Sequence, residues 1–328
     1  MRMTFAFALI ATAGTTTVAS AHYLGDTDSS QPAAKWAASR LDFMPIDRVP
    51  SPRTAAPGLV GAEYVIVLPN KWAQTQKLRV CFVGGSDALR AKILGIADIW
   101  IAHTNLKLDA GGPNGRSCAA NDSSEIRIGF SEPGYWSYIG HDSISPYLIS
   151  HNLTSMNFAG FDSSPPAEPQ FTGAVLHEWG HALGLHHEHQ NPAGGCDAEY
   201  DWPKLYAYYQ SNYGWDKSKV DANLRSLSAD RSAFDWSNQD PNSNMIYASD
   251  PNFLKNGTSS PCYFHANNSL SALDIVGIER TYPKGGAATA LQLQSVTLPV
   301  AIQNIESGAL KSALERQNEL ATKAIQTK

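Results

Sequence analysis

The chain has 328 residues, 43% of them hydrophobic and 17% charged, with a formal net charge of −5. That length admits one large domain or two small ones, and the composition is that of a globular protein rather than a disordered or fibrous one. The mild acidity, without a basic stripe, excludes a binder of phosphate backbones, so no nucleic acid is expected as a partner.

The N-terminus reads as a processing segment. Arg2 supplies a positive charge, residues 5–13 form a short apolar core, and Ala19-Ser20-Ala21 is a small-residue cleavage site. The apolar run is too short to span a membrane and no other stretch approaches the needed length, so a secreted chain without a membrane anchor is expected, beginning near His22. Residues 22–70 are polar and broken by Pro45, Pro50, Pro52 and Pro57, which predicts a pro-segment or an extended lead-in.

From Lys77 the pattern becomes regular. Residues 78–82 alternate as a strand. Ser86 can cap a helix over 87–103, whose apolar stripe is Leu89, Ile93, Ile96, Ala97, Trp100 and Ile101. Residues 125–130 predict a second strand, 134–140 carry aromatics and glycine, and 154–161 predict a short strand. Pro165, Pro166 and Pro169 break the chain before a helix opening at Thr172.

That helix carries the motif that dominates the sequence. Residues 177–187 fit H-E-x-x-H-x-x-G-x-x-H. His177 and His181, four apart, share one helix face and can grip one zinc ion. Gly184 can take positive φ, end the helix and turn the chain, so that His187 returns as a third ligand. Three neutral nitrogens leave the fourth tetrahedral position open, which marks a catalytic rather than a structural site, and Glu178 can reach a water there. His186 and His189 lack the spacing from Gly184 and read as ordinary polar residues.

Four cysteines in a secreted chain predict two disulfides with three connectivities open. Cys81 in a strand and Cys118 just before the next favour one pair, leaving Cys196 for Cys262. A thiolate metal site is the competing reading, opposed by the absence of C-x-x-C. Sequons at Asn121, Asn152, Asn256 and Asn267 matter only in a eukaryotic host. Residues 273–282 read as a closing helix, 284–298 as a linker, and 300–326 as a weakly amphipathic helical tail.

The zinc motif resembles that of the metzincin metallopeptidases. Ser243-Asn244-Met245-Ile246-Tyr247 has the S-x-M-x-Y form of the methionine turn in astacins, and Glu188 after the third histidine is a further astacin feature. Residues 72–283 look like secreted astacin-like peptidases of microbial type. The resemblance implies an α+β zincin with a twisted mixed sheet and the active-site helix in its upper half, and a largely irregular lower half over 188–283. It divides the chain into a signal peptide (1–21), a lead-in (22–70), a zinc peptidase domain (71–283) and a linker with a tail (284–328). It implies one zinc per chain, protein or peptide substrates, Glu178 as general base, and Tyr247 as a tyrosine that reaches the zinc and then the oxyanion. It also suggests 154–161 as the edge strand that pairs with substrate. Tyr23-Leu24-Gly25-Asp26 resembles the F-x-G-D of astacin pro-segments, which would make Asp26 a latency switch. Two departures stand out: His189-Gln190-Asn191-Pro192 replaces the usual Arg and acidic residues, and the span from His187 to Met245 is long. A zincin that binds without cutting and a latent zymogen are the alternatives to an active endopeptidase; intact Glu178 opposes the first.

Overall fold

The computed structural model describes residues 65–229, 234–236 and 238–284, with the backbone of 40–43. The expected signal segment, Asp26 and the C-terminal tail lie outside the described residues. A mixed seven-stranded sheet has the order β1 (Arg40–Phe43), β7 (Tyr135–Tyr138), β8 (Met156–Phe158), β6 (Ile126–Gly129), β3 (Lys77–Phe82), β4 (Lys107–Asp109), with β5 (Arg116–Ser117) also paired to β3. Strands β3, β4, β5, β6 and β8 are parallel, whereas β7 runs antiparallel to β8 and β1 antiparallel to β7. A separate ribbon joins β2 (Val65–Val67) to β9 (Phe234–Trp236). The helices are α1 (Asp87–Ile101), α2 (Pro146–Ser150), α3 (Gln170–Ala182), α4 (Trp202–Tyr213), α5 (Lys217–Leu224) and α6 (Ala272–Thr281). This is the expected α+β metzincin-like arrangement.

Local chemistry explains most boundaries. Ser86 caps α1 by accepting from Leu89 N. Ile93, Leu94, Ile96, Ala97 and Trp100 then bury one face of α1, close to the predicted stripe. That face meets the buried residues of β3, β6, β8 and α3 in one core, which includes Leu78, Val80, Phe82, Ile126, Ile128, Met156, Phe158 and Trp179. Helix α3 starts at Gln170, two residues before the predicted opening, because Glu168 Oε2 accepts from Thr172 N at 3.2 Å and supplies the cap from further back. Ser271 and Asp274 form a reciprocal capping box on α6.

Three features depart from the sequence reading. The segment 154–161 yields only β8, which lies between β7 and β6 and has no free edge for a substrate. The outer strand on that side is β7, and β1 from the lead-in covers it. Three of the four β7 residues are buried, so no alternation marked it. Second, residues 65–70 of the lead-in belong to the folded body: Val65 and Ile66 are buried and β2 is hydrogen-bonded on both sides. Third, the otherwise irregular lower half contains α4 and α5 and has a core of its own. Tyr200, Leu205, Tyr209, Trp215, Val220, Ile246 and Tyr247 pack there around the Cys196–Cys262 disulfide. Cys81 is bonded to Cys118, tying β3 to the chain after β5.

Candidate active site

Helix α3 is fixed at the end that matters. Its last carbonyls have no intrahelical donors. Trp72 Nε1 donates to Ala182 O at 2.7 Å and the Tyr282 hydroxyl donates to Leu183 O at 2.8 Å. Gly184, at φ 98°, then turns the chain. The returning strand is held by β2, with Val67 N donating to Gly184 O (3.0 Å) and His186 N to Val65 O (2.9 Å). Residues that read as lead-in therefore hold the approach to His187. No local signal marks a three-residue strand whose partners are the turn after α3 and, on its other side, β9.

His177, His181 and His187 are fully buried and their ring nitrogens converge. His181 Nε2 lies 3.1 Å from His177 Nε2 and 3.2 Å from His187 Nε2. Each ring has its other nitrogen on an acceptor: His177 Nδ1 on Asn244 O (2.8 Å), His181 Nδ1 on Leu185 O (2.9 Å) and His187 Nδ1 on Gln190 Oε1 (3.0 Å). Those oxygens require a proton on each Nδ1, so each Nε2 presents a lone pair. Three lone pairs aimed at one point repel one another unless a cation lies among them. Burial pushes His177 down to about 4, and burial reinforced by the neighbouring imidazoles holds His181 and His187 well below the usual range. All three are neutral at neutral pH, the state a zinc ligand needs. Three neutral imidazoles with oriented second nitrogens fit zinc and leave a coordination position for water. Neither His186 nor His189 joins this group. Both are buried, with pKa values lowered to about 3 and about 4, burial being the main cause in each. His189 is no ordinary surface residue: its Nε2 bonds Asn223 O at 2.8 Å and its ring stacks on Tyr247.

Glu178, beside His177 on α3, is fully buried. Tyr247 packs its ring 4.1 Å from His187 and 5.7 Å from His177, centroid to centroid. The methionine turn is anchored through Asp274, which accepts from Ser243 Oγ (2.6 Å) and Asn244 N (2.9 Å). Met245 N in turn donates to Ser243 Oγ, and Glu188 N to Met245 O. The Met245 sulfur seats against α3 at Gly180, where any Cβ would collide with it. Gly180 is thus a site residue that the sequence motif leaves as "x". Glu188 is fully buried and accepts from Asn191 Nδ2 and Asp240 N; burial raises its pKa well above the carboxylate range.

No protein-family model and no curated protein matches the sequence. Among solved structures, that of myroilysin, an astacin-like metalloprotease, is 30% identical, covers 67% of this chain and 98% of its own, and has a TM-score of 0.55. A second myroilysin crystal structure is 29% identical over 65% of this chain and 86% of its own, with a TM-score of 0.45. High choriolytic enzyme 1, a hatching enzyme zinc-protease from the medaka fish Oryzias latipes, is 16% identical over 64% of this chain and 93% of its own, with a TM-score of 0.40. With that identity to myroilysin over nearly the whole of its length, and with the histidine triad and methionine turn in place, the chain belongs to the astacin-like metallopeptidases of the metzincin clan.

Proposed function

We propose that the chain is a secreted endopeptidase that holds one zinc ion on His177, His181 and His187. The observation that carries the reading is the convergence of three neutral, oriented imidazole nitrogens beside buried Glu178. Bound zinc supplies Lewis acidity, lowering the pKa of a water from about 16 to about 7 and polarising a carbonyl. Glu178 takes the proton of the attacking water and passes it to the leaving amine nitrogen. Tyr247 donates its hydroxyl proton in a hydrogen bond to the scissile carbonyl oxygen as negative charge builds there. An extended protein or peptide substrate pairs main chain to main chain with the edge of β7 that β1 covers, in place of β1. The N-terminal segment and the two disulfides support secretion. Among the described residues no helix is long and apolar enough to cross a membrane.

The test is elemental zinc analysis together with a casein digest read by mass spectrometry, on wild type and Glu178→Gln. The variant is expected to keep zinc and fold while losing activity by about 10²–10⁴-fold. Retention of more than about a tenth of wild-type kcat would contradict the base assignment. Wild type that binds zinc but cuts nothing, trimmed or not, would make the chain a binding protein.

One observation favours a latent form of the same enzyme. Strand β1 pairs with β7 antiparallel, Arg40 opposite Tyr138 and Phe43 opposite Tyr135, on the edge an extended substrate needs. In this reading the lead-in is removed for activity, and Asp26, a carboxylate, fills zinc's open position beforehand. The new N-terminus must then fall before Val65, because β2 braces the turn to His187. Full-length protein should be inactive and a form starting within residues 44–64 active. Full-length protein already at full activity ends this reading.

A further inference from the structure

The third ligand is the one the helical motif does not itself fix. His177 and His181 ride on α3 and lean on backbone carbonyls. His187 lies beyond the turn, and its Nδ1 leans on a side chain, Gln190 Oε1, at 3.0 Å. A side-chain partner orients a ligand only as well as it is itself held. Gln190 is held at both amide protons: its Nε2 donates to Ala222 O at 3.0 Å and to Arg225 O at 2.8 Å. These carbonyls stand at the C-terminal end of α5, where helix carbonyls lack internal donors and carry partial negative charge. With both protons so committed, the amide cannot flip without turning its oxygen onto two carbonyl oxygens. Its oxygen therefore faces His187, and His187 must carry its proton on Nδ1 and keep Nε2 as a lone pair.

Neighbouring bonds strengthen the same joint. His189 Nε2 donates to Asn223 O, on the same helix end, at 2.8 Å. Leu227 N donates to Gln190 O at 2.8 Å. The His189 ring stacks on His187 (centroids 5.0 Å, 23°) and on Tyr247 (4.6 Å, 23°), and Tyr247 N donates to His189 Nδ1 at 3.4 Å. The segment that departs from the astacin pattern and the helix that lengthens the lower half thus meet each other at the metal site.

We infer that Gln190 is a positioning residue for zinc: clamped by the carbonyl end of α5, it fixes the tautomer and direction of His187. This rests on the reading that the three histidines hold zinc. The test uses the full chain and Gln190→Met, which fills nearly the same volume but can neither accept from the imidazole nor donate to the carbonyls. Zinc affinity is measured by competition with a chelator, with near-ultraviolet circular dichroism as the check on fold. The dissociation constant is expected to rise about 10–100-fold, the usual cost of losing such an outer partner. An unchanged constant in a folded variant overturns the inference, since a packing role alone would leave it unmoved.

The second measurement needs no variant. In metal-stripped, ¹⁵N-histidine-labelled wild type, NMR should show His187 as a single Nδ1–H tautomer. An Nε2–H tautomer or a mixture overturns the inference, and this result decides if Gln190→Met does not fold. Should wild type bind no zinc, the zinc reading falls, while the tautomer still judges Gln190.

Discussion

The seat of Met245 on Gly180 gives a test in which one substitution should change sign with its background. Gly180 lies inside α3, where replacing glycine by alanine ordinarily gains about 1 kcal/mol of helix propensity. Here a Cβ collides with Met245 Sδ and comes within 3.0 Å of its Cε and 3.4 Å of Leu185 Cδ1. Met245 is 1% exposed and closed in by the core, so its side chain cannot swing away. Overpacking of this kind costs about 1–3 kcal/mol, so Gly180→Ala in wild type should be destabilising by up to about 2 kcal/mol. Met245→Ala leaves a hole and should cost about 2–5 kcal/mol. In that background the collision is gone, the new methyl fills part of the hole, and the propensity gain stands alone. Gly180→Ala should then stabilise by about 1 kcal/mol. Urea unfolding of the four proteins with disulfides intact, followed by circular dichroism, measures the cycle. If Gly180→Ala had the same effect in both backgrounds to within about 0.5 kcal/mol, the contact would carry no energy and the account of the methionine turn as the floor of the helix would fail.

Further outcomes follow from the site. Tyr247→Phe should lower kcat with little change in KM, because a hydroxyl aimed at the oxyanion acts mainly in the transition state; steady-state kinetics on one peptide decide it, and an unchanged kcat reduces Tyr247 to packing. In the metal-stripped protein the buried histidines should cost stability as pH falls. Burial sets His177 at about 4 against about 6.5 when unfolded, so below pH 6.5 the unfolded chain binds a proton that the folded one refuses. The loss begins near pH 6.5, is complete near pH 4, and for His177 is on the order of 3 kcal/mol, with His181 and His187 adding in the same direction. Buried Glu188 and Asp274, whose pKa values burial raises, act in the opposite sense, so melting temperatures between pH 7 and pH 4 are compared for wild type and His177→Phe; a difference that does not vary with pH would mean that His177 is not held neutral.

What the sequence disclosed was what local chemistry sets. The ligand spacing, the turn at Gly184 and the capped, striped helix α1 each depend on residues within a few turns of one another. Helices α4 and α5 had local signals too: Asp201 and Asp216 cap them, and Gly214 ends the first in a left-handed conformation. Their faces mix tyrosine, lysine and serine, so no apolar period exposed them. The remaining features depend on contacts far along the chain. Strand β2 gains its place from two distant partners, the turn after α3 on one side and β9 on the other. Gly180 is small because of a methionine 65 residues away. His189 and Gln190 look like any polar pair until α5 brings its carbonyls to them.

The lower half shows why such distant contacts can be rigid enough to matter. A clamp on a zinc ligand works only if its anchor does not move, and an eight-residue helix such as α5 is marginal by itself. Its C-terminal end is fastened by Arg225. That guanidinium lies 3.7 Å over the Trp202 ring, pairs with Asp197 at 3.3 Å and Asp221 at 3.1 Å, and donates to the Tyr206 hydroxyl at 2.9 Å. Asp197 also accepts from Ser226 N, just past the helix, and is adjacent to Cys196 of the lower disulfide. The ion pairs are half-exposed and each contributes little alone. Arg225, however, joins α4, α5 and the disulfide at one point, and its own carbonyl is one of the two that hold Gln190. The extra length between His187 and Met245 thus works as a brace: aromatic packing and a disulfide immobilise a helix end, and that end orients the imidazole which the zinc helix cannot reach.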